Sequence, residues 1–238
     1  VYCIYPQVYR DSTRHFLDGF PGRVLYAVKA NNHPSVIRCL HNAGVRHFDC
    51  ASVTEIAQVH SLCPGATAYF MVPVSPRGDV RAAKDEHGVR HFMIDHPDGL
   101  HKLQREIDLN DSVVFARMAV SHASAVVDLS SKFGAPQEQM ADLLSRIRNA
   151  GAEPALAFNV GTMVTSPDAY RHALEVALQV LEQLDFRLRL VDIGGGFPRS
   201  YPDYPTPPLD DYFKVIRELS DRLPLAEQGE LLVEPGRA

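Results

Sequence analysis

Three places in this chain bring together residue types that could do chemistry. Lys29 ends the apolar run Val24-Leu25-Tyr26-Ala27-Val28; Gly194-Gly195-Gly196 follows Asp192-Ile193; and Glu234-Pro235-Gly236-Arg237 follows Leu231-Leu232-Val233. A lysine buried against apolar walls would have a depressed pKa and offer a neutral, nucleophilic amine. It could also cap its strand and snorkel to water, and position alone favours that second reading. Three glycines let backbone N–H groups approach a phosphate with no side chain in the way. The run lacks both GxGxxG spacing and a Walker lysine, which argues against dinucleotide and P-loop nucleotide sites and leaves a flexible turn as the alternative. The fork of Arg237 suits a phosphate, and Glu234 could hold a proton on a heteroaromatic nitrogen. The alternative there is an exposed Arg–Glu pair around a turn, which is worth little.

Other chemistries find less support. Eleven histidines are present, but there is no HExxH. His87 and His91 flank a turn, and His15, His41, His60, His101 and His172 fall on helical segments, so no metal is expected. The Asp108-Leu109-Asn110-Asp111 turn lacks the glycine and distal glutamate of a calcium loop. No nucleophile elbow supports a Ser-His-Asp triad. Cys3, Cys39, Cys50 and Cys63 lie far apart without a CxxC pair, which makes a zinc cage or disulfide framework unexpected and a reduced, cytoplasmic setting the default.

The elements that must position these residues alternate. Strand-like runs are expected at Val24–Ala30, His47–Ala51, Thr67–Val72, His91–Asp95, Ser112–Met118, Ala155–Val160, Leu188–Ile193 and Glu230–Glu234. Between them lie helical patterns such as Val36, Ile37, Leu40 and Ala43, or Leu174, Ala177, Leu178, Leu181 and Leu184. Strands separated by helices pair in parallel, and eight such units match a closed (β/α)8 barrel, an α/β fold of roughly 250 residues. A doubly wound open sheet is the alternative, because alternation alone does not prove closure. No helix follows the last strand, but Tyr5–Leu17 could form one before the first. Barrel chemistry sits at the C-terminal strand ends, and reading those positions in order gives Lys29, Asp49, Ser52, Asp95, Arg117, Asn159, Thr162, the glycine run, Glu234 and Arg237. That set suits a phosphate-bearing cofactor.

Composition fits this reading. The 238 residues are 45% hydrophobic and 22% charged, enough for a large core. Lysine plus arginine against aspartate plus glutamate gives 24 − 29 = −5, a poor basis for binding nucleic acid or an anionic membrane. No apolar run approaches the roughly 20 residues of a membrane span, and Arg10, Asp11 and Arg14 argue against a signal peptide. One domain over residues 1–238 is expected. The start at Val1 and the stop at Ala238, directly after a functional-looking segment, suggest a fragment.

Taken together, the motifs carry a resemblance. Tyr26-Ala27-Val28-Lys29-Ala30-Asn31 resembles the lysine motif of the barrel-type pyridoxal-phosphate enzymes, the group of alanine racemase and the ornithine, arginine and diaminopimelate decarboxylases. Phe48-Asp49-Cys50-Ala51-Ser52 with Thr54-Glu55-Ile56 is similar to the eukaryote-type ornithine decarboxylase branch. Lys132-Phe133-Gly134, Phe158-Asn159-Val160-Gly161, Asp192-Ile193-Gly194-Gly195-Gly196-Phe197-Pro198 and Glu234-Pro235-Gly236-Arg237 continue in the family's order.

The resemblance implies an alanine racemase-like barrel that holds pyridoxal 5'-phosphate on Lys29 as a Schiff base. Glu234 would bond the pyridine nitrogen. Gly194, Gly195, Gly196, Gly236, Arg237 and Thr162 would bind the phosphate, with Asp49, Glu55, Arg117 and Asn159 around the lysine and ring and Lys132 near a dimer interface. Asn159 stands where the family usually has a histidine stacked on the ring, and Thr162 where it has a serine. The implied activity is decarboxylation of a basic L-amino acid, with L-ornithine and putrescine the first expectation. A racemase, or a non-catalytic pyridoxal-phosphate-binding or regulatory homologue, is the alternative. A C-terminal β-domain carrying a cysteine and an aspartate would lie outside this chain, completing sites shared across a homodimer. Cys50, inside the second strand's motif, is not that cysteine.

Overall fold

The computed structural model describes residues 3–202 and 205–238. In chain order, helix α1 (Pro6–Gly19) precedes β1 (Gly22–Ala27), and α2 (Pro34–Asn42), β2 (His47–Cys50), α3 (Val53–Leu62), β3 (Thr67–Phe70), α4 (Arg77–Arg81), β4 (His91–Ile94), α5 (Pro97–Glu106) and β5 (Val113–Met118) follow. The second half runs β6 (Ala125–Val127), α6 (Met140–Asn149), β7 (Glu153–Phe158), β8 (Thr162–Val164), α7 (Asp168–Leu181), β9 (Leu190–Asp192), α8 (Leu209–Ser220) and β10 (Glu230–Val233). Eight strands close into a barrel in the order β1-β10-β9-β7-β5-β4-β3-β2. β1 pairs in parallel with β10 on one side (Val24 opposite Val233) and with β2 on the other (Tyr26 opposite Phe48). With the first strand bonded to the last, the ring has no free edge, which rules out the open sheet.

Alternation along each strand divides the apolar residues into two cores. Leu25, Tyr69, Met71, Met93, Phe115, Ala155, Ala157 and Leu232 fill the barrel interior. Their neighbours, among them Val24, Tyr26, Phe48, Cys50, Val191 and Val233, face the helices. Asp49, Asp192 and Glu234 occupy the inward positions of that alternation and are buried. Helix α1 packs Phe16 edge-on against Phe213 of α8 and Phe197, so the expected helix before strand one covers the outer wall beside β1. Among the described residues, no helix is long and apolar enough to cross a membrane.

Two elements differ from expectation. The first strand ends at Ala27, whose N–H donates to Pro235 O, and Val28–Ala30 forms a single 3-10 turn. The apolar run reaches Val28 because that side chain is buried in the outer core, not because the strand continues. The short antiparallel pair β6 and β8 (Ala125 opposite Val164, Val127 opposite Thr162) is the other. Three-residue strands carry too little periodicity to be seen in a sequence.

A polar layer closes the N-terminal end of the barrel. Arg23 pairs with Glu230 and donates to Tyr69 Oη at 2.8 Å, and the Tyr69 ring stacks on His91 at 3.9 Å. Burial, aided by the Arg23 charge, pushes His47 down to about 4 and His91 to about 3. A histidine kept neutral in the fold but free to charge when unfolded costs stability as pH falls below about 6.5. His91→Phe keeps the stack and removes the titration. Its stability should fall less than wild type between pH 7 and pH 4.5, by up to about 2 kcal/mol, in denaturant unfolding; parallel losses would show that His91 is not responsible.

Candidate active site

At the C-terminal end of the barrel the strand ends surround a cavity of about 420 Å³. Lys29, Arg117, Asn159, Thr162, Gly195, Gly196, Glu234, Gly236 and Arg237 line it, with Met71, Val72, Leu129, Phe133 and Phe197 as apolar wall. Barrel closure brings the first motif to the last: the Lys29 turn sits against Pro235 and Gly236, and a Cβ added at Gly236 would lie 2.7 Å from Ala30 Cβ. A second cavity of about 440 Å³, lined by Val8, Phe16, Val24, Leu40 and Val45 among others, lies between α1 and the outer face of β1 and lacks this convergence of charged groups.

Lys29 Nζ donates to Asp49 Oδ2 at 2.7 Å. Asp49 is fully buried, whereas the lysine side chain is half exposed toward the cavity. The carboxylate of Asp49, and then that of Glu234, raise the amine's pKa above its ordinary value despite the opposing effect of burial. Of the two readings open in the sequence, the half-exposed lysine is the one observed and the amine made neutral by burial is not: Lys29 is held as an ammonium and must give up a proton before it can act as a nucleophile. Glu234 is 7% exposed, its Oε1 has no donor, and burial together with Asp192 and Asp49 pushes its pKa well up.

Across the cavity, the glycine run forms the cradle. Gly196 has φ +107, and a Cβ there would lie 2.6 Å from Gly161 O. Its carbonyl accepts from Val164 N at 2.9 Å, and the buried Tyr170 hydroxyl donates to Gly195 O at 2.8 Å. Neither tyrosine that braces this region, Tyr170 or Tyr212 (which donates to Val164 O at 2.8 Å), is singled out by the sequence. Asn159 lines the cavity, but its Oδ1 accepts from Gly161 N at 2.9 Å, fixing the turn that leads to Thr162. The guanidinium of Arg117 lies over the Phe133 ring, 4.9 Å from its centre.

Three expected site residues stand behind the wall. Asp49 acts through Lys29. Gly194 lies beneath the cradle, its N–H donating to Asp192 Oδ1 at 2.8 Å. Glu55 belongs to a capping box at the start of α3: Ser52 Oγ accepts from Glu55 N at 3.2 Å, and Glu55 Oε2 accepts from Ala51 N at 2.7 Å. The Glu55 side chain is not among those lining the cavity. Lys132 is exposed on the loop beside Phe133, away from the cavity. Cys50 is buried facing the helices, with its thiol pKa raised by burial, in keeping with its exclusion as an acid. Among the described residues no three His, Cys, Asp or Glu side chains could hold a metal ion.

These features fit pyridoxal phosphate. A buried acid whose Oε1 lacks a donor suits a protonated ring nitrogen, a cradle too tight for any Cβ suits a phosphate, and an amine stands on the wall they share. Gly196→Ala would place a methyl group against Gly161 O in a backbone conformation that strains any side chain. We expect it to cost about 2 kcal/mol in denaturant unfolding and to weaken cofactor capture roughly tenfold or more. Unchanged binding would remove the cradle from the phosphate site.

The comparisons agree with the geometry. The family model described as "Pyridoxal-dependent decarboxylase, pyridoxal binding domain" matches residues 8–238. A lysine/ornithine decarboxylase of Selenomonas ruminantium is 35% identical over 219 residues, covering 90% of this chain and 54% of the relative. A probable ornithine decarboxylase of Dictyostelium discoideum is 31% identical, covering 89% and 45%. Among solved structures, the Selenomonas ruminantium lysine decarboxylase superposes with TM-score 0.81 at 32% identity, covering 97% of this chain and 60% of that one. The Vibrio vulnificus lysine/ornithine decarboxylase complexed with putrescine gives 0.82 at 28%, covering 97% and 61%. The chain spans about half the length of the curated relatives it matches. It belongs to the pyridoxal-dependent decarboxylase family and forms that family's pyridoxal-binding barrel.

Proposed function

We propose that the protein containing this barrel decarboxylates a basic L-amino acid, with L-ornithine as substrate and putrescine as product. The observation that carries the reading is the single cavity in which the Lys29 amine stands between the buried Glu234 and the glycine cradle. Pyridoxal phosphate, when bound, supplies an electron sink for the pair left behind as the Cα–carboxylate bond breaks. Glu234 holds a proton at the ring nitrogen, a preorganised electrostatic contribution made inside the barrel's dry interior. The N–H groups of Gly195 and Gly196, the Thr162 hydroxyl and Arg237 hold the phosphate. Asp49 keeps Lys29 charged and oriented, and the apolar wall of Met71, Val72, Leu129 and Phe133 excludes water from the reacting centre.

On this reading the residues that select the substrate's far end lie on a C-terminal β-domain and a twofold partner, beyond this barrel, in a cytoplasmic enzyme. The relatives' greater length and their names support it, as does the putrescine held by the Vibrio vulnificus lysine/ornithine decarboxylase. Purified protein mixed with pyridoxal phosphate should gain a visible absorption band that Lys29→Ala abolishes, and the full-length protein should release CO₂ from L-ornithine faster than from lysine or arginine. Capture should quicken as pH rises toward the raised pKa of Lys29, since only the neutral amine reacts. A band that persists in Lys29→Ala would overturn the assignment of the lysine; a preference for lysine or arginine would overturn that of the substrate.

A further inference from the structure

Behind Glu234 lies an acid that the cavity never touches. Asp192 ends β9 and Glu234 directly follows the neighbouring β10, with Asp192 opposite Leu232 in register and Glu234 N donating to Gly194 O at 2.9 Å. Both side chains point into the barrel. Asp192 is 0% exposed and Glu234 7%. The register sets the two carboxyl groups side by side on the inner wall, and Asp192 Oδ2 and Glu234 Oε1 are both buried with no N–H or O–H donor. The other titratable and charged groups facing the pair are Asp49 from β2, Lys29 from the turn after β1 and, toward Asp192, the Tyr69 hydroxyl from β3, which accepts from Arg23; Lys29 is already bonded to Asp49. Three buried carboxyl groups therefore face one ammonium. Buried carboxylates without donors are costly, and two that meet settle the cost by keeping a proton between them.

We propose that Asp192 is a positioning residue for Glu234: the two acids share one proton in the apoprotein, and this contact aims the Glu234 carboxyl at the ring nitrogen while Asp192 Oδ1 holds the glycine run through Gly194 N. The direction of titration agrees: burial raises Asp192 to about 6 and Glu234 well above its ordinary value. The inference rests on the proposed cofactor site only for what Glu234 faces; the shared proton is a property of the barrel alone.

The sign follows from linkage. The folded pair keeps a proton that the unfolded chain has lost above about pH 4.5, so its contribution to stability falls as pH rises. Asp192→Asn supplies an amide donor to Glu234, retains an acceptor for Gly194 N, and needs no proton. Melting of the apoprotein from pH 6.5 to pH 8.5, above the range where His47 and His91 matter, should show wild type losing roughly 5 °C relative to Asp192→Asn. Glu234→Gln should flatten the curve in the same way, and serves if Asp192→Asn folds poorly. Curves parallel to wild type in the variants that fold would overturn the shared proton. The visible band of wild type with pyridoxal phosphate is read separately: its absence would overturn the functional reading and leave the melting result standing.

Discussion

The pairing of β1 with β10 is the constraint on which the rest of the molecule depends. Three residue pairs, Gly22–Leu231 to Val24–Val233, join the two ends of the chain, and one further bond from Ala27 N to Pro235 O carries the contact to the rim. That closure sets the Lys29 turn beside Glu234 and Gly236, and it converts eight separate strand ends into the wall of one cavity. It also gives the inward side chains a common interior. Without it, Asp49, Asp192 and Glu234 would face water; with it, they face one another.

The chemistry follows from that shared burial. Lys29 has one carboxylate as its bonded partner, Asp49, and the two acids next along the barrel wall must settle their charges without a second cation. A cofactor with a basic ring nitrogen and a dianionic phosphate answers both ends of the site. On the proposed reading the nitrogen would meet the acids, and the phosphate would meet the N–H groups of the glycine run and Arg237. The same backbone serves both poles, because Asp192 accepts from Gly194 N on one side and lies on the strand beside Glu234 on the other.

Much of this was legible in the sequence because the barrel repeats a simple pattern. The strand–helix alternation gave the element order, and the strand-end rule named the polar side of the cavity (Lys29, Arg117, Asn159, Thr162, Gly195, Gly196, Glu234 and Arg237) but none of its apolar wall. What escaped did so for physical reasons. The state of the Lys29 amine depends on Asp49, twenty residues away on the next strand, and burial alone pointed in the opposite direction. Glu55 did carry a local signal, the Ser52-Val53-Thr54-Glu55 spacing of a capping box, which the family motif overrode. Tyr170 and Tyr212 fall on ordinary apolar stripes of their helices, so nothing local marks their hydroxyls as braces for Gly195 and Val164. Asn159 stands where the family's histidine would be, but its bond to Gly161 N is a feature of the folded turn.

The most direct measurement is chemical. Protein incubated with pyridoxal phosphate, reduced with borohydride and digested should yield the pyridoxyl group on the peptide containing Lys29, in unit stoichiometry. Label spread over Lys84, Lys102, Lys132 and Lys214 in proportion to their exposure, or none at all, would contradict the site described above.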